Sequence, residues 1–95
     1  MFLSSYAFAG APQELVARFH QMMERFPTDD ILLNVVITTD SGITVFDACP
    51  DRATMEHFSR SAEFAQALAD AGLPAPTVTP LGDVHGAIVR HPVTA

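Results

Sequence analysis

Residues 31–38 read Ile-Leu-Leu-Asn-Val-Val-Ile-Thr. After the turn Thr39-Asp40-Ser41-Gly42 the chain resumes as Ile-Thr-Val-Phe-Asp-Ala over residues 43–48. β-Branched and aromatic side chains suit a pleated strand, where the crowding at Cβ that hinders a helix is relieved. Asp, Ser and Gly bend the chain through local side-chain hydrogen bonds and backbone freedom. The two runs therefore predict a β-hairpin, placed at the centre of a sheet. The first run is almost continuously apolar, which is the pattern of a strand covered on both faces.

Upstream, Phe2, Tyr6 and Phe8 recur in steps of two or four residues, the strand period, over residues 2–9. Gly10-Ala11 breaks that run. Pro12 fits the first helical position, where its missing N–H costs nothing, and Glu14 falls in the first turn, where the helix dipole favours an anion. Leu15, Phe19, Met22, Met23 and Phe26 then form a helical apolar stripe, widened by Val16 and ended by Pro27. Downstream of the hairpin, Pro50-Asp51 opens a second helix with Asp51 as N-cap. Met55, Phe58, Ala62, Ala65 and Ala69 form its buried line, and Gly72 with Pro74 stops it. The stretch Pro74–Pro80 reads as a connector to a last strand at Val84–Val89, and the tail from His91 is expected to fray.

The predicted order is strand, helix, strand, strand, helix, strand, filling residues 1–95 as one domain. Two right-handed crossovers place both helices on one face of a four-stranded antiparallel sheet, a ferredoxin-like α+β fold. The other face has no cover within the chain. The apolar fraction is 48%. A domain this small buries only about 60–65% of the surface its unfolded chain exposes. A second copy, packed sheet to sheet, is the simplest way to cover that face.

The net charge is −6, with no lysine and five scattered arginines, Arg18, Arg25, Arg52, Arg60 and Arg90. Binding to nucleic acid or to an anionic membrane needs clustered cations, so neither partner is expected. One cysteine, Cys49, cannot form an internal disulfide, and this points to a reducing, cytoplasmic compartment. The N-terminal Ala7-Phe8-Ala9 imitates a cleavage site. However, the segment lacks a cationic start and is interrupted by Ser4 and Ser5, so it does not read as a signal peptide.

The segment from Ile43 to Phe58, Ile-Thr-Val-Phe-Asp-Ala-Cys-Pro-Asp-Arg-Ala-Thr-Met-Glu-His-Phe, resembles the dimeric α+β barrel superfamily, the group that contains the antibiotic-biosynthesis monooxygenases. Its small members show a similar strand with an aromatic residue near its end, an N-cap (here Asp51) and a helix with two anchors (here Met55 and Phe58). Ala69–Pro74 and Val84-His85-Gly86 are similar as well. The resemblance implies a dimeric α+β barrel. It implies oxygenase chemistry less directly, because those enzymes resemble one another in using an asparagine and a tryptophan. This chain has no tryptophan, Cys49 stands where relatives usually carry one, and Asn34 is its only asparagine.

Among single residues, His85 is the first catalytic candidate. Its strand position beside Gly86 leaves room for a ligand, and an imidazole is a base near neutral pH. The simpler reading is a histidine holding the last strand to a loop. Cys49 precedes a helix N-terminus, whose dipole lowers a thiol's pKa, although a buried, inert cysteine is simpler. Tyr6 is a lesser catalytic candidate. Phe8, Phe46, Met55 and Phe58 are candidate walls of a ligand pocket between sheet and helices, or ordinary core. His20 and Glu24 share a helix face but lack the further ligands a metal needs, so neither metal nor cofactor is expected.

Two functions follow. One is a homodimeric domain that binds a small apolar or aromatic molecule and is non-catalytic or of unknown activity. The other is a cofactor-independent monooxygenase or isomerase acting on a small aromatic or quinol-like substrate. A cavity of roughly 300 Å³ with His85 pointing into it favours the enzyme, whereas side chains that fill the space themselves favour the binding domain.

Overall fold

The structure is a computed structural model and describes residues 1–90. It contains strand β1 (Phe2–Ala9), helix α1 (Pro12–Arg25), strands β2 (Leu33–Thr39) and β3 (Gly42–Cys49), helices α2 (Arg52–Ser59) and α3 (Ala62–Ala71), and strand β4 (Thr77–Asp83). The strands form one antiparallel sheet in the order β2-β3-β1-β4. This is the expected ferredoxin-like α+β fold. No helix of the described residues is long and apolar enough to cross a membrane.

Local chemistry sets the helix limits. Pro12 opens α1, and Leu15, Phe19 and Met22 form its buried stripe. Asp51 caps α2 by accepting from the Thr54 N–H at 2.7 Å. The second predicted helix is two helices. The Ser61 hydroxyl accepts from the Phe64 N–H at 3.1 Å and donates to the Phe58 carbonyl at 2.8 Å, closing α2 and opening α3. A serine at such a point offers the backbone an alternative to continuing the helix. Gly72 ends α3 at φ 73°, the left-handed cap geometry, and the Leu73 N–H bonds back to the Leu68 carbonyl at 2.9 Å.

Two strand expectations need correction. The hairpin is not the centre of the sheet. β3 pairs with β1 in the middle, and β2 lies at an edge, where Val35 and Ile37 remain 43% and 42% exposed. The last strand is not Val84–Val89 but Thr77–Asp83, inside the stretch read as a connector. Proline is tolerated there because β4 is an edge strand, where one row of N–H groups has no ladder partner to lose. The tail from His91 lies outside the described residues.

Side-chain alternation divides the sheet. Phe2, Ser4, Tyr6 and Phe8 of β1 are buried beneath the helices, with Ile43, Val45, Asp47 and Cys49 opposite them on β3. The other face carries Leu3, Ser5 and Ala7 of β1, Thr44 and Phe46 of β3, Leu33, Val35 and Ile37 of β2, and Thr77 and Thr79 of β4. No charged residue is among them.

Gly42 begins β3 against β1, where a Cβ would land on the Phe8 carbonyl oxygen. Replacing Gly42 with alanine is therefore expected to destabilise the fold by roughly 3 kcal/mol. Thermal unfolding checks this, and a melting point within a degree of the parent would show that β1 and β3 can separate at this end without penalty.

Candidate functional site

The strand registers place polar side chains where apolar ones are expected. On the helix-covered face, Asp47 of β3 stands opposite Asn34 of β2 on one side and Ser4 of β1 on the other. One rung across three strands is thus polar, beneath a layer of helices. The neighbouring rungs carry Tyr6, Val45 and Val36 on one side, and Phe2 and Cys49 on the other. Ser4 and Asp47 are fully buried, at 0% and 4% exposed.

Aromatic rings from four elements roof this rung. The Phe58 and Phe64 rings, from α2 and α3, lie 4.6 Å apart between centroids. This contact follows from the break at Ser61, which turns both rings toward the sheet. Phe26, just past α1, meets Phe58 edge-on at 5.3 Å, and Tyr6 meets Phe64 edge-on at 5.8 Å. A cavity of about 20 Å³ remains between them. Its walls include Tyr6, Phe8, Phe26, Phe58 and Phe64, with Asn34 and Asp47 as its polar floor. The cavity has room for about a single water molecule, so the rings fill most of the space.

The polar groups are incompletely satisfied. The Cys49 thiol donates to Asp47 Oδ1 at 3.5 Å, an ordinary length for sulfur, and the Ser4 hydroxyl donates to the Asp47 backbone carbonyl at 3.5 Å, a long contact. The Tyr6 hydroxyl and the Asn34 side-chain nitrogen are buried with no hydrogen-bond partner. Asn34 lies near enough to the Asp47 carboxyl, and Ser4 to the Tyr6 hydroxyl, to offset part of the effect of burial on each, but neither pair is in bonding geometry. Leaving such a group buried and unbonded costs on the order of 1–3 kcal/mol.

Protonation follows burial. Loss of solvation pushes the Asp47 carboxyl above its ordinary value, partly offset by Cys49 and Asn34. Burial pushes the Tyr6 hydroxyl up to about 12. Burial and then the Asp47 charge push the Cys49 thiol up to about 12. Its position before a helix N-terminus was expected to lower that value; desolvation and the neighbouring carboxylates outweigh the dipole. Cys49 is a neutral, inert thiol at physiological pH.

The structure thus brings Tyr6, Phe8 and Phe58 to one cavity. Met55 is buried in a separate cluster with Phe2 and Cys49 and does not line the cavity. Phe46 points to the opposite face of the sheet, because it is out of phase with Val45 and Asp47. His85 is exposed, two residues beyond the end of β4, and is not among the cavity-lining residues. His20 and Glu24 lie exposed on α1. The sequence reading missed Asp47 and gave no role to Asn34. The available signal was the alternation Ile43, Val45, Asp47, Cys49, which carries a carboxylate into an otherwise apolar row. A wider groove of about 530 Å³ between α1 and α3, with Arg25, Glu63 and Asp70 on its rim, is open to solvent and contains no unbonded buried polar atom.

No family model and no curated relative matches this sequence. Among solved structures, the chain is similar to a proposed antibiotic biosynthesis monooxygenase from Deinococcus radiodurans, with a TM-score of 0.62 at 13% identity, covering 96% of this chain and 100% of that one. It is also similar to a proposed antibiotic biosynthesis monooxygenase from Chloroflexus aurantiacus, with a TM-score of 0.56 at 14% identity, covering 90% of this chain and 96% of that one. At these identities the likeness establishes the fold alone, a ferredoxin-like α+β fold shared over nearly the whole chain.

Because Asp47 titrates above the ordinary value of 3.8, the native state holds this proton more tightly than the unfolded chain does. The resulting stabilisation is complete below the ordinary value and is lost as pH rises through the raised one. Urea unfolding of the parent and of Asp47→Asn should therefore show the balance shifting toward the variant between about pH 3 and neutrality. A shift the other way would mean that the fold stabilises the ionised carboxylate.

Proposed function

We propose that this chain is a homodimeric domain that binds a small apolar or aromatic molecule between its sheet and its helices, with no reaction assigned. The observation that carries this reading is the pair of unbonded buried polar atoms, Tyr6 Oη and Asn34 Nδ2, at the wall of an aromatic cavity beside Asp47. Buried polar groups are almost always paired. A ligand with a hydrogen-bonding group would pair these two while its hydrocarbon part displaced the rings. Apolar walls with a few convergent polar groups are the usual composition of a small-molecule site. The small closed volume, and the distance of His85 from the cavity walls, favour a binding domain over a preformed catalytic centre.

The dimer rests on the uncovered sheet face. An antiparallel sheet wetted on one side normally alternates apolar residues with polar or charged ones. Here that face carries Leu3, Leu33, Val35, Ile37 and Phe46 and no charge. A second copy matches this chemistry, since a two-fold contact brings the same apolar rows together.

A second reading, cofactor-independent oxygenation or isomerisation of a small aromatic or quinol-like molecule, is favoured by one feature of the site. Asp47 is a carboxylate whose proton affinity is raised by burial, adjacent to an amide and a phenol, a constellation able to take a proton from a bound hydroxyl. The descriptions of the two similar crystal structures agree with that reading.

Two measurements test these statements. In sedimentation velocity at micromolar concentration the chain is expected to run as a dimer, and Ile37→Arg as a folded monomer; a folded monomeric parent would overturn the dimer. Phenol titrated into isotopically labelled protein is expected to move the Asn34 side-chain amide resonances. Asn34→Leu should weaken that binding about tenfold while leaving stability unchanged or higher by about 1 kcal/mol. Unmoved resonances at millimolar phenol would show the cavity to be core alone. Hydroquinone in air, followed with an oxygen electrode, decides the second reading: uptake above the protein-free rate supports it, and none removes it.

A further inference from the structure

The cavity has one charged wall, Asp47, and no arginine, lysine or histidine among its lining residues. The remainder of its lining is aromatic or aliphatic apart from Asn34 and the Tyr6 hydroxyl. Resting on the binding reading above, we infer that the molecule held there is an organic ammonium ion, its charge met by the Asp47 carboxylate and its hydrocarbon part enclosed by the rings of Tyr6, Phe26, Phe58 and Phe64.

Three observations carry this assignment. First, Asp47 is buried without a counter-ion: among the described residues the ion pair found is Arg52 with Glu56, on the surface of α2. A buried carboxylate is costly unless a cation or strong donors meet it. Its donors within the chain are a thiol at 3.5 Å and an amide out of bonding geometry. The fold buries this carboxyl group and supplies no positive charge to meet it.

Second, the rings form an interlocked group, with centroid separations from 4.6 to 6.3 Å among Tyr6, Phe26, Phe58 and Phe64. Aromatic faces carry negative charge density and attract a cation within about 6 Å, and several rings beside one carboxylate is the arrangement that recognises alkylated amines. Phe26 and Phe58 are half-buried and lie beyond the last turn of α1 and near the end of α2. They are the rings that can swing outward to admit a guest.

Third, the charge environment selects by sign. The molecule carries −6 overall, which draws cations and repels anions at a distance. Inside the cavity an anion would face Asp47 with nothing to neutralise it. A neutral alcohol would be left with an uncompensated carboxylate, or with a carboxyl that has taken up a proton.

The titratable groups facing Asp47 are Tyr6 of β1 and Cys49 of β3, both held neutral by burial. α1, α2 and α3 present only Phe19, Met22, Met23, Phe58 and Phe64 to the cavity, none of them titratable. An arriving ammonium ion therefore acts on Asp47 alone and displaces its proton when the carboxyl is protonated.

Isothermal titration of the full chain with benzylamine, benzyl alcohol and benzoate tests this, since the three share a ring and differ in charge. At neutral pH benzylamine is expected to bind about tenfold more tightly than benzyl alcohol, with benzoate below detection. Asp47→Asn is expected to bring the amine and the alcohol to equal affinity. At about pH 5, in the carboxylate range, the amine alone should release a proton, read as a heat that depends on the buffer's ionisation enthalpy. That last measurement uses the parent protein and holds even where the variant does not fold. Alcohol binding as tightly as amine, or an amine preference surviving in Asp47→Asn, overturns the ammonium assignment and leaves the cavity reading standing. Failure of all three compounds to bind overturns both.

Discussion

The pairing of β1 with β3 is the constraint from which the rest follows. Each strand alternates its side chains, and the register between them puts Phe2, Ser4, Tyr6 and Phe8 on the same side as Cys49, Asp47, Val45 and Ile43. A slip of one residue between them would send the four of one strand to the opposite face. The helices cover that side: Leu15, Phe19 and Met22 of α1 and Phe64 and Leu68 of α3 close over Tyr6, Phe8, Ile43 and Val45. Gly42 holds the start of this pairing, since only a residue without Cβ fits against the β1 carbonyl there.

Within that packed layer, the rung Asn34–Asp47–Ser4 is a local conflict. An apolar rung of similar size would be more stable, because each unbonded buried polar group works against folding. Proteins keep such conflicts mainly where a site needs them. The burial that keeps Cys49 and Tyr6 protonated also raises Asp47. The three groups therefore share one cause. The chemistry of the site is that of a weakly solvated carboxylate under aromatic rings.

Much of the fold was legible in the sequence because it is written locally. Pro12, Asp51 and Gly72 set helix limits through interactions within a few residues, and they lie where the periodicity places them. Other features were not. Thr77-Val-Thr looked like part of a proline-rich connector, yet it forms β4, because an edge position tolerates Pro80. Ser61 sits inside an apolar helical pattern, and only the competing hydrogen bonds it makes with Phe58 and Phe64 break that pattern. His85 took its importance from a strand assignment that belongs to residues 77–83. Phe46 looked like a pocket wall until its phase relative to Val45 placed it on the other face.

By itself, the amino-acid order determined the element types, the helix caps, the surplus of apolar strand residues and the absence of a cation cluster. Each of these is a property of neighbours along the chain or of composition. The tertiary structure alone decided which distant residues meet. Asn34, Asp47 and Ser4 form one rung only through the registers of two strand pairs. Cys49 loses the expected help of a helix N-terminus because burial and the carboxylates folded around it outweigh the dipole. Strand register and burial are set by contacts between segments far apart in sequence, and a candidate site made of such contacts has no local trace to read.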